Sequence, residues 1–246
     1  NIKHLCGKHL IAWSIESGLK SKYIDELIVS TDYQEIADIS KKYGANTPFI
    51  RPEYLASDSA TSFDTIKHAI DYYKNTLNKE FDYIILLEPT SPLRKVEDID
   101  NAVECLLDST ADSIVGISKT EDQNPAFLIK KDSKNFITGY EDEAMTVLRR
   151  QDTKSVYFFE GTIYISKTKI LLNKKTFFHE KTIGFEVPKY KSIEIDDMVD
   201  FVSEIVPLNK IIKIENCYEA NGERYDRQII NKVVEGLKEK YSIGNK

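Results

Sequence analysis

Apolar positions recur along this chain with two periods, near 3.6 and near 2, and the switches between them mark its elements. Over residues 8–20, Leu10, Ile11, Ile15 and Leu19 step by three and four around Ser14, with Trp13 beside them, which predicts a helix. The apolar run at 27–31 predicts a short strand. Asp32 and Glu35 follow in the spacing of a capping box, then Ile36, Ile39 and Tyr43 give a second helix its inner stripe and Gly44 its end. Residues 47–50 close a strand–helix–strand unit, a connection that is right-handed in nearly all parallel sheets.

Residues 51–62 lack periodicity and read as a loop. Phe63, Ile66, Ile70, Tyr73 and Leu77 predict a long helix. The continuous apolar run at 81–87 predicts a strand buried on both faces. Further on, Ile99, Ala102, Val103 and Leu106 predict a helix over 97–107, and a strand is expected at 112–118. Short strand-like pieces at 127–129 and 135–138, set among charged loops, predict an antiparallel insertion over about 124–155. A strand at 156–166 is interrupted by Gly161, and shorter strands are expected at 183–187 and 192–195. Asp197 is expected to cap a helix over 198–206. Pro207 marks a boundary, after which a possible strand at 210–214 and an amphipathic helix built on Ile230, Val233, Val234, Leu237 and Tyr241 form an appendage over 207–246. The alternation predicts an α/β doubly wound, mostly parallel sheet of Rossmann-like type over residues 1–206.

Composition narrows the class. At 246 residues, 41% hydrophobic and 30% charged, the chain can bury a large core. A net charge of −6 argues against sequence-independent nucleic-acid binding. No apolar run approaches the about 20 residues of a membrane span, and there is no secretory signal pattern. Cys6, Cys105 and Cys217 are few and scattered, without metal-ligand spacing, which suits a reducing compartment. The expected location is therefore cytoplasmic, with neither nucleic acid nor membrane as a partner.

The strand at 81–87 ends in Glu88, Pro89, Thr90, Ser91, Pro92, Leu93 and Arg94. Two prolines stiffen this loop and remove N–H donors. Open α/β sheets bind ligands at the carboxyl ends of their strands, so Glu88, Thr90, Ser91 and Arg94 are candidate ligand contacts; a turn that caps the next helix gives the same pattern. Glu194 and Asp196 stand two apart, so a strand would place both carboxylates on one face, where Mg²⁺ could bind. A solvated edge strand is the alternative reading. Arg51, Arg149 and Arg150 could pair bidentately with phosphate or carboxylate.

In combination these segments resemble the acylneuraminate cytidylyltransferases, the CMP-sialic acid synthetases and their relatives. The resemblance runs through residues 1–11, Val29 to Asp32, Arg51 and Pro52 with Leu55 to Asp58, the 87–94 motif, Arg150 and Gln151, the Gly161 to Ile165 stretch, and Ile193 to Asp196. Its most specific part is the Pro, Thr, Ser, Pro, Leu, Arg run. It implies transfer of CMP from CTP to the anomeric hydroxyl of an acidic nine-carbon sugar, with Mg²⁺ as cofactor and a homodimer built on the β insertion. By position, it assigns Asn1, Arg51 and Ser62 to the nucleotide. Glu88, Pro89, Thr90, Ser91, Arg94 and Glu160 fall to the sugar, Arg150 to the sugar acid, and Glu194 and Asp196 to the metal and catalysis.

Departures bear on the sugar. Glu88 stands where sialic acid enzymes usually carry glutamine, and an ionised carboxylate accepts but cannot donate. Phe158 and Glu160 replace an arginine and an asparagine, and Glu194 replaces an aspartate. The resemblance also implies a first strand and a basic, Gly/Ser-containing nucleotide loop ahead of Asn1, so the sequence is expected to be part of a longer chain. Catalysis without that loop is expected to be weak. A same-fold enzyme for a Kdo-type or other sugar, and a non-catalytic sugar- or nucleotide-binding derivative, remain alternatives.

Overall fold

The computed structural model describes residues 1–57, 60–120, 124–140, 149 and 153–196. Arg150, the cap at Asp197 and everything expected over 198–246 lie outside the described residues.

The chain opens with a hairpin absent from the sequence expectations. Strands β1 (His4–Leu5) and β2 (Lys8–His9) pair antiparallel around Cys6 and Gly7, both at positive φ. Helix α1 (Leu10–Lys20) follows, then α2 (Gln34–Lys42). Asp32 does not cap α2: Tyr33 holds that position without a side-chain bond, and Asp32 instead pairs with Arg51 at 3.0 Å. The flanking segments run parallel as expected, joined by an isolated bridge between Ile28 and Asn46 and by a backbone bond from Arg51 N to Thr31 O at 2.8 Å. No ladder extends over 47–50.

Helix α3 (Ser62–Leu77) begins in a complete capping box. The Thr61 hydroxyl accepts from Asp64 N, and the Asp64 carboxylate accepts from Thr61 N, satisfying two donors that a helix start otherwise leaves unpaired. Strand β3 (Tyr83–Leu86) is half-buried rather than sealed on both faces. After it come α4 (Val96–Leu107), β4 (Ser113–Thr120), and the insertion strands β5 (Ile129–Lys131) and β6 (Ile137–Gly139), which form the expected antiparallel pair. Strand β7 (Val156–Lys167), helix α5 (Thr168–Lys174) and strand β8 (Thr182–Glu186) complete the described elements. Helix α5 is absent from the sequence expectations.

The main sheet has the order β3-β7-β4-β8. Strand β7 pairs antiparallel with β3 and β4, whereas β4 and β8 are parallel. Three strands therefore run one way and β7 alone opposes them, an α/β sheet of the expected class. Alternation along β4 sorts its side chains. Ile114 packs beneath α4 with Ile99, Leu106, Ile163 and Ile165. Val115 faces the other side with Leu171, Phe177 and, from α3, Phe63 and Ile66. Helices thus cover both faces, each fully buried aliphatic contributing roughly 1.5–3 kcal/mol.

Two irregularities shape the site. Register slips between β4 and β7, because Val115 opposes Tyr164 and Ile117 already opposes Phe159. The extra β7 residues around Gly161 form a bulge, the form taken by the expected interruption, and bulges re-aim backbone groups and side chains. The expected strand at 192–195 is not formed. After a 3-10 turn (Lys189–Lys191), this segment joins the 88–94 loop through one backbone bond, from Ile195 N to Thr90 O at 2.9 Å. Ile195 buries itself against Leu5, Leu10 and Leu93 instead of along a strand edge.

Candidate active site

Arg94 holds the loop together. Its guanidinium is buried and donates through Nε to Thr162 O, through Nη1 to Ser14 Oγ at 2.8 Å, and through Nη2 to Glu88 O at 2.8 Å and Gly161 O at 3.1 Å. The Ser14 hydroxyl donates in turn to Glu88 O. Four of the five Arg94 donors are therefore spent on α1, the loop and the β7 bulge. Arg94, expected to contact ligand, positions the loop in this structure. Burial lowers its pKa to about 10, against the opposing charges of Glu160 and Glu88, so it stays cationic at neutral pH.

With the backbone pinned, Glu88 stands at the end of β3, half-buried. Burial raises its pKa, and the charge of Glu194 raises it further. The Glu194 carboxylate accepts a short hydrogen bond from Gly161 N. It too is raised, by burial first and then by Asp196, while the Gly161 bond opposes both. A Cβ on Gly161 would lie 2.9 Å from Ser91 Oγ and 3.0 Å from Glu194 Oε1. Only a glycine lets the bulge, the loop and this carboxylate approach so closely. Glu88, Thr90, Ser91, Glu194 and Asp196 are thus brought to one place, beside Pro89.

A cavity of about 530 Å³ opens from Glu88, floored by Leu86, Tyr164 and Phe177 and rimmed by Ser62 and Asp64 of α3 and by Lys175. Ser62 and Glu88, distant in sequence, share it. Burial, and then the field of Glu88, holds the Tyr164 phenol well above its ordinary pKa. Arg51 lies farther along α3, bonded to Asp32 and at 3.5 Å from Thr65 Oγ1. Its buried Nε has no partner. Asn1 is exposed and its carbonyl accepts from Ile11 N at 2.9 Å.

Glu160 is placed differently from the expectation of a sugar contact. It is 1% exposed, its Oε2 accepts from Thr162 N and Thr162 Oγ1, and its Oε1 has no partner. Oε1 lies where a Cβ on Gly116 would be. Burial pushes its pKa up to about 7, opposed by the Thr162 bonds and by Arg94. Ser14, Gly161, Thr162, Tyr164 and Phe177 received no role from sequence. Gly161 carried a signal as a glycine inside a strand pattern, and Thr162 and Tyr164 only as members of the Gly161 to Ile165 stretch of the resemblance.

The fold is that of an α/β nucleotide-binding sheet, and the cytidylyltransferase family model, a nucleotidyltransferase class, matches residues 1–224. The chain belongs to that family. It is 32% identical over 214 residues to the CMP-N,N'-diacetyllegionaminic acid synthase of Legionella pneumophila, covering 85% of this chain and 90% of that protein. To the N-acylneuraminate cytidylyltransferase of Streptococcus agalactiae it is 31% identical over 83% of its length, and it spans about half, 48%, of that longer protein. The pseudaminic acid cytidylyltransferase of Campylobacter jejuni is 30% identical over 81% of this chain. The crystallised CMP:2-keto-3-deoxy-manno-octonic acid synthetase, complexed with CTP, shares the fold at 14% identity with a TM-score of 0.58, covering 85% of this chain and 91% of that one.

Proposed function

We propose that this protein transfers CMP from CTP to the anomeric hydroxyl of a nonulosonic acid of sialic, legionaminic or pseudaminic type. The observation that carries this reading is the convergence, around Gly161, of the 88–94 loop and the acidic segment 194–196. The anomeric oxygen attacks the α-phosphorus, a new P–O bond forms, the bond to the bridging oxygen breaks, and pyrophosphate leaves with the hydroxyl proton passing to solvent. No side chain acts as nucleophile, so positioning and electrostatics supply the catalysis.

Glu194 and Asp196 would hold Mg²⁺. Their carboxylates are the hard oxygen donors that Mg²⁺ takes. Burial raises Glu88 and Glu194 first and the neighbouring carboxylates raise them further, and a divalent cation would relieve that second, electrostatic part. Bound there, the ion would supply neutralisation of phosphate charge. Within the protein, Gly161 N orients Glu194, Arg94 fixes the loop, and the cavity beyond Glu88 takes the sugar. Asn1, Arg51 and Ser62 face the nucleotide in this reading, and Arg150 the sugar acid.

The same reading takes residues 1–206 as the catalytic domain, working in the cytoplasm in cell-surface polysaccharide synthesis, with 207–246 appended. The insertion near 124–155 serves a homodimer, supported by the exposure of Ile129, Phe136 and Tyr140. Pyrophosphate release tests the activity, with CTP, UTP and GTP each offered beside N-acetylneuraminate, a legionaminate, a pseudaminate and Kdo, with and without Mg²⁺. CTP- and Mg²⁺-dependent release with a nine-carbon acid is expected. Preference for another nucleotide or for Kdo would replace this reading.

A further inference from the structure

The mechanism above makes no use of a buried ion pair. Lys191 ends the 3-10 turn ahead of the acidic segment, and its ammonium donates to both Asp98 carboxylate oxygens at 2.7 Å. The side chains are 7% and 12% exposed. Asp98 Oδ2 also accepts from Lys95 N at 2.8 Å. Lys95 follows Arg94 directly, and Lys191 stands three residues before Glu194. One carboxylate therefore grips both segments that carry the site.

These bonds close a circuit. From Asp98 it passes to Lys191, along the chain to Glu194, from Glu194 to Gly161 N, from Gly161 O to Arg94, and through Lys95 N back to Asp98. The bond from Ile195 N to Thr90 O spans its middle. The segment 192–196 has no strand ladder to fix its height, so the circuit has to supply it. A buried ion pair seldom adds net stability over an apolar pair of similar volume, and its better-attested use is to specify geometry.

We propose that Asp98 and Lys191 form a positioning clamp that sets the acidic segment against the 88–94 loop, so that Glu194 and Asp196 share one face with Glu88. The metal consequence rests on the reading of Glu194 and Asp196 as a cation pair; the positional consequence does not.

The test uses Lys191→Met, Lys191→Arg and the double variant Asp98→Asn/Lys191→Met, which removes both charges and keeps an acceptor for Lys95 N. Hydrogen–deuterium exchange without metal should speed up about tenfold or more at the Ile195 and Gly161 amides in the double variant, with β4 amides unchanged. Mn²⁺ affinity should fall about tenfold, and Lys191→Arg should recover both. Unchanged exchange at Ile195 and Gly161, or a loss of global stability alone, overturns the clamp. If the unaltered protein binds no Mn²⁺, the metal reading fails and the exchange result alone decides the clamp. Lys191→Met reports the same amides, and where it does not fold the double variant carries the test.

Discussion

Replacing Glu160 by glutamine isolates a buried carboxyl whose titration burial moves to near neutrality. In the folded chain its pKa is about 7 because burial disfavours the charged form more than Thr162 and Arg94 favour it. In the unfolded chain it returns to the ordinary glutamate value of 4.5. A folded pKa above the unfolded one means that the native state binds the extra proton between these limits. Stability is then highest below about pH 4.5 and falls as pH rises to about 7. At about 1.36 kcal/mol per pKa unit, the full excursion is roughly 3 kcal/mol. Arg94, with a pKa near 10, keeps its charge across the whole window and adds no slope. Other raised carboxyls, Glu88 and Glu194, tilt both proteins alike, so the informative quantity is the difference between them. Urea unfolding at half-unit steps from pH 5 to 8 measures it. The unaltered protein should lose roughly 2–3 kcal/mol more than Glu160→Gln across that range. Parallel stability curves would refute the buried, proton-binding Glu160 described here.

Arg94→Met should destabilise by about 3–5 kcal/mol, because the Glu88, Gly161 and Thr162 carbonyls lose their donor; denaturant melts check this, and a change below about 1 kcal/mol contradicts the stapling role. Gly161→Ala brings a Cβ to 3.0 Å from Glu194 Oε1, so the carboxylate has to retreat by a few tenths of an ångström. The KM for Mg²⁺ in pyrophosphate release should rise about tenfold or more while the melting temperature moves little; an unchanged metal requirement separates Glu194 from the metal.

The capping box at Thr61 and Asp64, the stripe of Ile99, Ala102 and Leu106, and the antiparallel pairing of β5 with β6 all follow from neighbours in sequence, and periodicity alone reaches most of them. Asp32 shows the limit. It has the spacing of a cap and the chemistry of one, yet the Arg51 guanidinium is a stronger partner than a helix N–H, and nothing local reveals that Arg51 is near. Glu194 and Asp196 were legible as a pair, but residues 192–195 form no strand: Ile195 N bonds to Thr90 O of the loop and its side chain packs on Leu5, Leu10 and Leu93. Glu160 and Arg94, expected to contact the sugar, are both buried and bonded to β7 groups. Both are charged residues in a motif, and a charge that is buried against backbone looks the same in sequence as one that meets a ligand.

The sequence by itself determined the α/β class, the stiff loop at the end of the 81–87 run and the presence of an acidic pair, because each depends on spacing over a few residues and on side-chain chemistry. Only the tertiary structure decided which of those groups point at one space. The Arg94 donors find carbonyls on β7 and a hydroxyl on α1, Gly161 turns its N–H towards Glu194 through a bulge, and Ser62 meets Glu88 across a cavity. Such contacts join residues tens of positions apart. Their partners are selected by burial, since a polar group taken out of water binds whichever complementary group the packing leaves within reach.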